Sequence, residues 1–250
     1  MNPIFSQATY ADVSTASQAG EQVIAGFFMA SASSKLDLDD VELDGTKGSV
    51  ASAIYVQIGC SLDLKNSVLT NIGSDGNSAP VVKGETPQEL RISDSTFDGN
   101  KNTYVRSESG NLIIEGSTFK NGSGKSFVSV ANAELTSSKS DYSGNYGEGA
   151  AGMAIDCQGC KKVAVTGSTF SSLSTSGNGG AVSLEKVCNT ALSSNTFADV
   201  GAELGGAIAV KDSQVKVENS DFQRVKQGFT YTTEDMEPNL LNEFRGEGVN

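Results

Sequence analysis

Residues 90–98 read LRISDSTFD and residues 112–120 read LIIEGSTFK. Both stretches contain two apolar residues two positions apart, then a turn residue, then Ser-x-aromatic. This phrase returns eight times along the 250 residues, at intervals of 22 to 28 residues, with these aligned anchors: Leu43, Leu69, Phe97, Phe119, Tyr142, Phe170, Phe197 and Phe222. A fixed motif within an irregular period is typical of a solenoid, because insertions fall in the loops between strands.

The residues ahead of each anchor predict a strand, a tight bend and a second short strand. Apolar residues seven and five positions before the anchor, such as Leu90 and Ile92, alternate as in a strand with one buried face. Three positions before the anchor the residues are mostly types that tolerate a left-handed backbone: Asp40, Asn66, Asp94, Gly116, Lys139, Gly167, Ser194 and Asn219. Two positions before it stand Val41, Ser67, Ser95, Ser117, Ser140, Ser168, Asn195 and Ser220. We therefore expect a serine ladder at the bend, with hydroxyl groups that find partners in neighbouring coils.

A second apolar stretch follows each loop, as in residues 53–56, 127–130 and 181–184. Each coil should thus contribute about three strands. We predict an all-β, single-domain, right-handed parallel β-helix of about eight to nine coils, since parallel crossovers are generally right-handed. Residues 1–35 should form an incomplete or capping first coil, residues 36–232 the β-helix coils, and residues 233–250 a C-terminal cap or docking segment with a short helix. The alternative fold is a β-sandwich with coincidental Ser-x-Phe turns.

Two motifs resemble those of a known family. Residues 179–182 (GGAV) and 205–208 (GGAI) resemble the GGA[ILV] motif of chlamydial polymorphic membrane proteins and related adhesin β-helices, and residues 97–100 (FDGN) fit the FxxN motif of that family. Residues 142–145 (YSGN) are a near match to FxxN. The resemblance covers roughly residues 89–210. It implies a right-handed parallel β-helix that works as a surface adhesin.

The composition excludes several classes of function. The chain has no histidine, so a Ser-His-carboxylate triad and a histidine zinc site are impossible. Its net charge is −12 and it shows no cluster of Lys and Arg, which argues against nucleic-acid binding. No apolar run approaches the length of a transmembrane helix.

Four cysteines and one sequon are candidate modification sites. Cys160 and Cys188 lie at nearly the same place in adjacent coils, so a disulfide between them is one possibility. Cys157 and Cys160 form a C-x-x-C pair, which is the other disulfide candidate. Buried free thiols, and metal or redox chemistry, are the further alternatives. Asn121 begins an N-x-S sequon in a loop and is a glycosylation candidate.

Asp37, Asp63 and Arg91 share the position six before the anchor and should form a column on one outer face. Our main interpretation is a solvated face with charge pairs between coils. The alternative is a catalytic column, because polysaccharide lyases on this fold use carboxylate-bound calcium and an arginine base. Stacked outward threonines, such as Thr96 and Thr118, leave ice binding as a third idea.

These observations predict a non-enzymatic extracellular surface protein, adhesin-like or a structural component of a fibre or coat. The expected partners are other modules of the same kind and other surface or fibre proteins, with glycans as a further alternative. No cofactor is expected, although the enzyme alternative would require calcium. That alternative is a carbohydrate-active enzyme, a lyase or hydrolase of polysaccharides.

Overall fold

In the computed structural model, which describes residues 4–11, 27–45, 52–73, 78–226 and 230–232, successive coils of the chain stack as parallel strands. We number the strands β1 to β25 in chain order and group them in three rows. Row one precedes the serine bend and row two follows it. Row three comes after the loop that closes each coil.

Row one consists of the first part of β3 (Lys35–Asp44), β5 (Ser61–Lys65), β8 (Glu89–Ser93), β11 (Asn111–Glu115), β14 (Glu134–Ser138), β17 (Lys162–Thr166), β20 (Thr190–Ser193) and β23 (Val215–Glu218). Row two consists of the second part of β3, β6 (Val68–Thr70), β9 (Thr96–Asp98), β12 (Thr118–Lys120), β15 (Asp141–Gly147), β18 (Thr169–Asn178), β21 (Thr196–Leu204) and β24 (Asp221–Gln223). Row three consists of β2 (Phe28–Ala30), β4 (Ile54–Val56), β7 (Val82–Gly84), β10 (Val105–Ser107), β13 (Val128–Ala131), β16 (Ile155–Gln158), β19 (Val182–Glu185), β22 (Ile208–Lys211) and β25 (Thr230–Thr232).

Hydrogen bonding joins these rows into two sheets. Rows one and two form a 16-stranded sheet that also includes β1 (Ile4–Ala11), which pairs in parallel with β3. Row three forms a nine-stranded sheet. The predicted all-β parallel solenoid is confirmed, and the described residues contain no helix.

The coil number differs slightly from the prediction. The structure forms about seven turns, whereas eight to nine coils were expected. The prediction counted the eight anchors, but a stack of eight strands in one row encloses only seven complete turns between its first and last strand. The predicted C-terminal helix and the segment at 233–250 lie outside the described residues, as does most of the predicted first coil at 1–35, so these boundaries stay predictions.

The bend between rows one and two adopts the predicted left-handed conformation in every coil. All eight turn residues, including Lys139 and Ser194, have φ between 48° and 61°. A left-handed residue costs little for glycine and asparagine but strains other side chains. The bend therefore holds its shape even where the sequence departs from the preferred types.

The serine ladder is confirmed, and its hydrogen bonds join each coil to the next. The backbone N–H of Ser95 donates to the hydroxyl of Ser117 at 3.2 Å, and the N–H of Ser117 donates to the hydroxyl of Ser140 at 3.2 Å. Each hydroxyl also donates to the carbonyl two residues earlier in its own coil, as Ser117 does to Glu115 at 2.9 Å. Asn195 takes the place of serine in one coil and accepts from the N–H of Ser168 at 2.9 Å. Every ladder serine from Ser67 to Ser168 is buried, so these bonds satisfy groups that water does not reach.

The aromatic anchors stack on one another in the core, next to the serine ladder. Ring centroids are 5.0 Å apart from Phe97 to Phe119 and from Phe119 to Tyr142, and 4.8 Å apart from Phe170 to Phe197. This is the ordinary spacing of paired strands. The buried hydroxyl of Tyr142 needs a partner, and Ser137 of the same coil provides it at 2.8 Å. The stack belongs to one continuous apolar core along the described coils.

The FxxN and GGA motifs both have structural roles in closing the coils. Asn100 is fully buried and accepts a hydrogen bond from the N–H of Ile72 at 2.8 Å, while its amide donates to the carbonyl of Leu69 at 3.1 Å. Gly179 has φ +67°, and a Cβ on Gly180 would lie 2.2 Å from the carbonyl oxygen of Gly206. Only glycine fits where two such backbones approach this closely.

We predict that Ser117→Ala lowers the free energy of unfolding by about 1–3 kcal/mol, because it leaves the buried N–H of Ser95 without an acceptor. Urea denaturation followed by circular dichroism measures this change. Ser138→Ala in the following coil is the control, since Ser138 is half-buried and contributes its carbonyl, not its hydroxyl, to the ladder. Equal stability of the two variants would contradict a stabilising role for the ladder.

Candidate functional site

The predicted column of charged residues lies on the outer face of row one. Asp37 of β3 is in register with Asp63 of β5, and Asp63 is in register with Arg91 of β8. A shallow cavity of about 260 Å³ lies beside the two aspartates and is also lined by Lys35 and Lys65. The column therefore has a concave neighbourhood in which a ligand could lie.

Lysines neutralise both aspartates of the column. Lys35 Nζ lies 2.5 Å from Asp37 Oδ1 and 3.4 Å from Asp63 Oδ2, and Lys65 Nζ lies 2.9 Å from Asp63 Oδ2. The hydrogen bond to Asp37 is the largest of the effects that raise the pKa of Lys35, which remains charged at neutral pH. Of these pairs, only Lys35–Asp63 joins two coils as predicted, whereas Lys35–Asp37 and Lys65–Asp63 each lie within one strand.

Arg91 is not joined to the aspartates by an ion pair. Its Nε lies 3.4 Å from Glu89 Oε1 in the same strand, two residues away on the same outer face. Within the described ranges, no group of three or more His, Cys, Asp or Glu side chains could hold a metal ion. A calcium site in this column would need Asp37 and Asp63 to exchange their lysine partners for the ion.

The cysteines differ in whether their side chains face the core of the solenoid or the solvent. Cys157 and Cys160 are buried, and Cys157 hydrogen-bonds to Cys160; this bond, together with burial, raises the pKa of Cys157 well above its ordinary value. Cys188 is exposed, and Val187 takes the inward position instead. The N–H of Cys188 donates to the carbonyl of Cys160 at 3.1 Å, so the two residues are neighbours in adjacent coils, as predicted.

The side chains of Cys160 and Cys188 nevertheless differ in exposure: in the turns between strands where they lie, Cys160 is buried, whereas Val187 is buried in place of Cys188. All four cysteines are free thiols in the structure. A disulfide between Cys160 and Cys188 would require the backbone to turn one of them over. The C-x-x-C pair is the one whose sulfur atoms the structure brings together.

Asn121 lies on an exposed turn, as the sequon predicted. It has φ +55°, and its side-chain amide donates to Asp98 Oδ1 at 2.7 Å in the preceding coil. A glycan on this amide nitrogen would therefore have to displace the hydrogen bond to Asp98.

The sequence did not single out Asp156, whose carboxyl group is the most perturbed acid in the described structure. It lies on the outer face of row three, in register with Ser129 and Ser183, and its Oδ1 is buried without a hydrogen-bond partner. Burial raises its pKa to about 6, although hydrogen bonds from Gln158 and Ser183 oppose the shift. Although it lies on an outer face, its carboxyl group is largely covered, which the sequence pattern does not reveal.

A family model described as the right handed beta helix region matches residues 86–244, which is more than half of the chain. The chain belongs to this family. The match confirms the predicted right-handed β-helix.

No curated protein and no solved structure matches the chain in the corresponding comparisons. The finer resemblance to chlamydial polymorphic membrane proteins therefore rests on the GGA and FxxN motifs alone. Right-handed β-helices carry many unrelated functions, so membership of the family does not assign one. Among the described residues, no helix has the length and apolar character of a membrane span.

We predict that Asp156→Asn stabilises this β-helix at pH 8 by about 2 kcal/mol and has little effect near pH 4. The folded-state pKa of about 6 lies above the ordinary value of 3.8, so the wild-type carboxyl group stabilises the folded state at low pH. That contribution is lost as the pH rises from about 4 through 6, whereas asparagine does not titrate. Urea denaturation of both proteins from pH 4 to pH 8 measures the difference. A difference that does not change with pH would contradict the assigned burial.

We also predict that iodoacetamide labels Cys188 in the native protein and leaves Cys60, Cys157 and Cys160 unlabelled, since those three are buried. Mass spectrometry of peptides from protein isolated without reductant identifies the labelled sites. After unfolding, Cys157 and Cys160 escape labelling together if they form a disulfide. Labelling of all four cysteines after unfolding would rule that disulfide out.

Proposed function

We propose that this right-handed β-helix protein is a non-enzymatic extracellular surface protein, adhesin-like or a structural component of a fibre or coat. The observation that carries the proposal is the state of the predicted catalytic column. Asp37 and Asp63 are paired with lysines, and Arg91 is paired with Glu89. A lyase would need these carboxylates for its cation and this arginine for its base, and here each has another partner.

The architecture supports a role that depends on surface rather than on chemistry. Inward positions are filled by the serine ladder, the aromatic stack and the buried asparagines, so they are committed to the scaffold. Outward positions are arranged in columns along the coils, which provides long lateral faces for a partner. Candidate partners for such faces are other β-helix modules of the same kind, other surface or fibre proteins, and glycans.

The acidic surface fits the same role. A net charge of −12 discourages accidental edge-to-edge association of a β-protein and gives no footprint for nucleic acid. The extracellular location rests on the resemblance of the GGA and FxxN motifs to surface adhesins.

A carbohydrate-active enzyme is the second candidate, and one observation favours it. Asp63 has a side chain only 13% exposed, and its Oδ1 is buried without a hydrogen-bond partner at the edge of the 260 Å³ cavity. A cation or a substrate hydroxyl group could satisfy this oxygen. The lysine pairs must first be released for either to bind, which makes this candidate the weaker one.

Two measurements distinguish the candidates. We expect antibodies against the chain to label intact cells of the source organism, and the purified protein to release no unsaturated product from polygalacturonate in the presence of calcium. Labelling only after permeabilisation would contradict a surface location. Calcium-dependent cleavage by the wild type that Arg91→Ala abolishes would establish the enzyme instead, with Arg106→Ala on the neighbouring row as the matched control.

A further inference from the structure

A groove crosses three successive coils on the side of the solenoid where row two is extended. Strands β15, β18 and β21 continue past the length of β9 and β12, and their added residues pair in register: Tyr146 with Ser174, and Ser174 with Gly201. The preceding coil has only the loop at residues 121–125 at this level. The step between this loop and the extended strands borders a wide, open depression of about 670 Å³.

Tyr146 is the aromatic residue of this groove and is 63% exposed. Its neighbours along the column are small: Gly124 and Ser123 on one side, and Ser174 on the other. The inward aromatic residues each cover the next ring in the stack, but among the described residues the ring of Tyr146 has no ring partner. Its faces are therefore open to a ligand.

Polar groups that make no bond within the described structure surround this ring. The side chains of Lys125, Glu148 and Ser174 line the groove, and none of them has a hydrogen bond or ion pair to another described residue. The groove thus combines an open aromatic ring with a free hydroxyl group, a free cation and a free anion.

We propose that this groove, the Tyr146 groove, binds an uncharged oligosaccharide. A pyranose ring has an apolar face of C–H groups that can stack on an aromatic ring, and a rim of hydroxyl groups that both donate and accept hydrogen bonds. Glu148 accepts from such hydroxyl groups, Lys125 donates to them, and Ser174 does either. Because the lysine and glutamate charges cancel, the groove offers no net charge that would select a charged sugar.

A protein partner fits the groove less well. Stable protein interfaces bury about 800 Å² on each partner around an apolar centre. The other large apolar side chains exposed on the described surface are Met29, Ile58, Val68 and Leu204, and none of them lines the Tyr146 groove. A single aromatic ring among hydroxyl and charged groups offers one stacking surface and several hydrogen-bonding groups, which suits a small polar ligand better than a protein surface.

This inference rests on the proposed role as an adhesin-like surface protein and assigns the class of its ligand. Its test is an array of neutral oligosaccharides of glucose, galactose, mannose and N-acetylglucosamine, with oligogalacturonates and sialylated glycans as charged comparisons. We expect the wild type to bind one or more neutral glycans. Tyr146→Ala should weaken that binding at least about tenfold, because it removes the stacking surface.

Two variants control the interpretation. Tyr146→Phe keeps the ring and should retain binding within about threefold. Ile58→Ala removes an equally exposed apolar side chain, 66% exposed, away from the groove and should bind as the wild type does. Thermal unfolding by circular dichroism should be the same for all variants, since both side chains are exposed.

Three results would overturn the proposal: no neutral glycan bound by the wild type, binding only of charged glycans, or equal binding by the wild type and Tyr146→Ala. None of them affects whether antibodies label intact cells. Conversely, a protein found only inside the cell would contradict the surface role even if the groove bound glycans, so the two proposals fail separately.

Discussion

The hydroxyl group of each ladder serine accepts a hydrogen bond from a buried backbone N–H that the bend of the preceding coil leaves without a backbone acceptor. The chain must bend sharply between rows one and two, and the left-handed residue at the bend turns the local backbone away from the regular ladder of a parallel sheet. The next backbone N–H still needs an acceptor, because it is buried. The serine of the following coil supplies that acceptor, as between Ser95 and Ser117 at 3.2 Å. One polar atom in each coil therefore allows the bend to repeat.

The remaining features follow from this repetition. Once equivalent bends lie one above another, equivalent side chains do too, and aromatic anchors stack at 4.8–5.0 Å. The same stacking turns outward positions into columns, which is how Asp37, Asp63 and Arg91 come to share a face. Where row two lengthens beyond β12, the step between the loop at 121–125 and the extended strands leaves Tyr146 and Ser174 beside an open groove. The scaffold and the candidate binding surface thus have one geometric origin.

Most of the fold could be predicted from the sequence because the signal repeats. The anchors, the turn residues and the ladder serines recur at fixed offsets, so the assignment of one coil is supported by the assignments of the others. Predictions that depended on a single residue were less secure. Cys188 was placed at nearly the same position as Cys160, but the offset of one residue leaves Cys188 exposed and puts Val187 in the buried position. The hydrogen-bond partner of the Tyr142 hydroxyl group was also missed. Ser137 is a polar residue in a column of otherwise apolar residues, and this exception indicated that it had a buried polar partner.

The candidate sites could be predicted only in part, since they depend on what covers a face and not on which residues share it. Register placed the charged column correctly, yet the lysine partners of Asp37 and Asp63 and the covered carboxyl of Asp156 require the packing of loops and neighbouring coils. Tyr146 has no repeated counterpart in the other coils, so no periodic argument could single it out. Features that differ from coil to coil are where a repeat protein acquires individual function.

Amide hydrogen exchange followed by NMR tests the central claim most directly. If serine hydroxyl groups are the acceptors that join the coils, the backbone amides of Ser67, Ser95, Ser117 and Ser140 exchange as slowly as those of the inward strand residues beside them. Exchange of these amides at the rate of an exposed loop would show that the ladder does not hold the bends together, and would contradict the account.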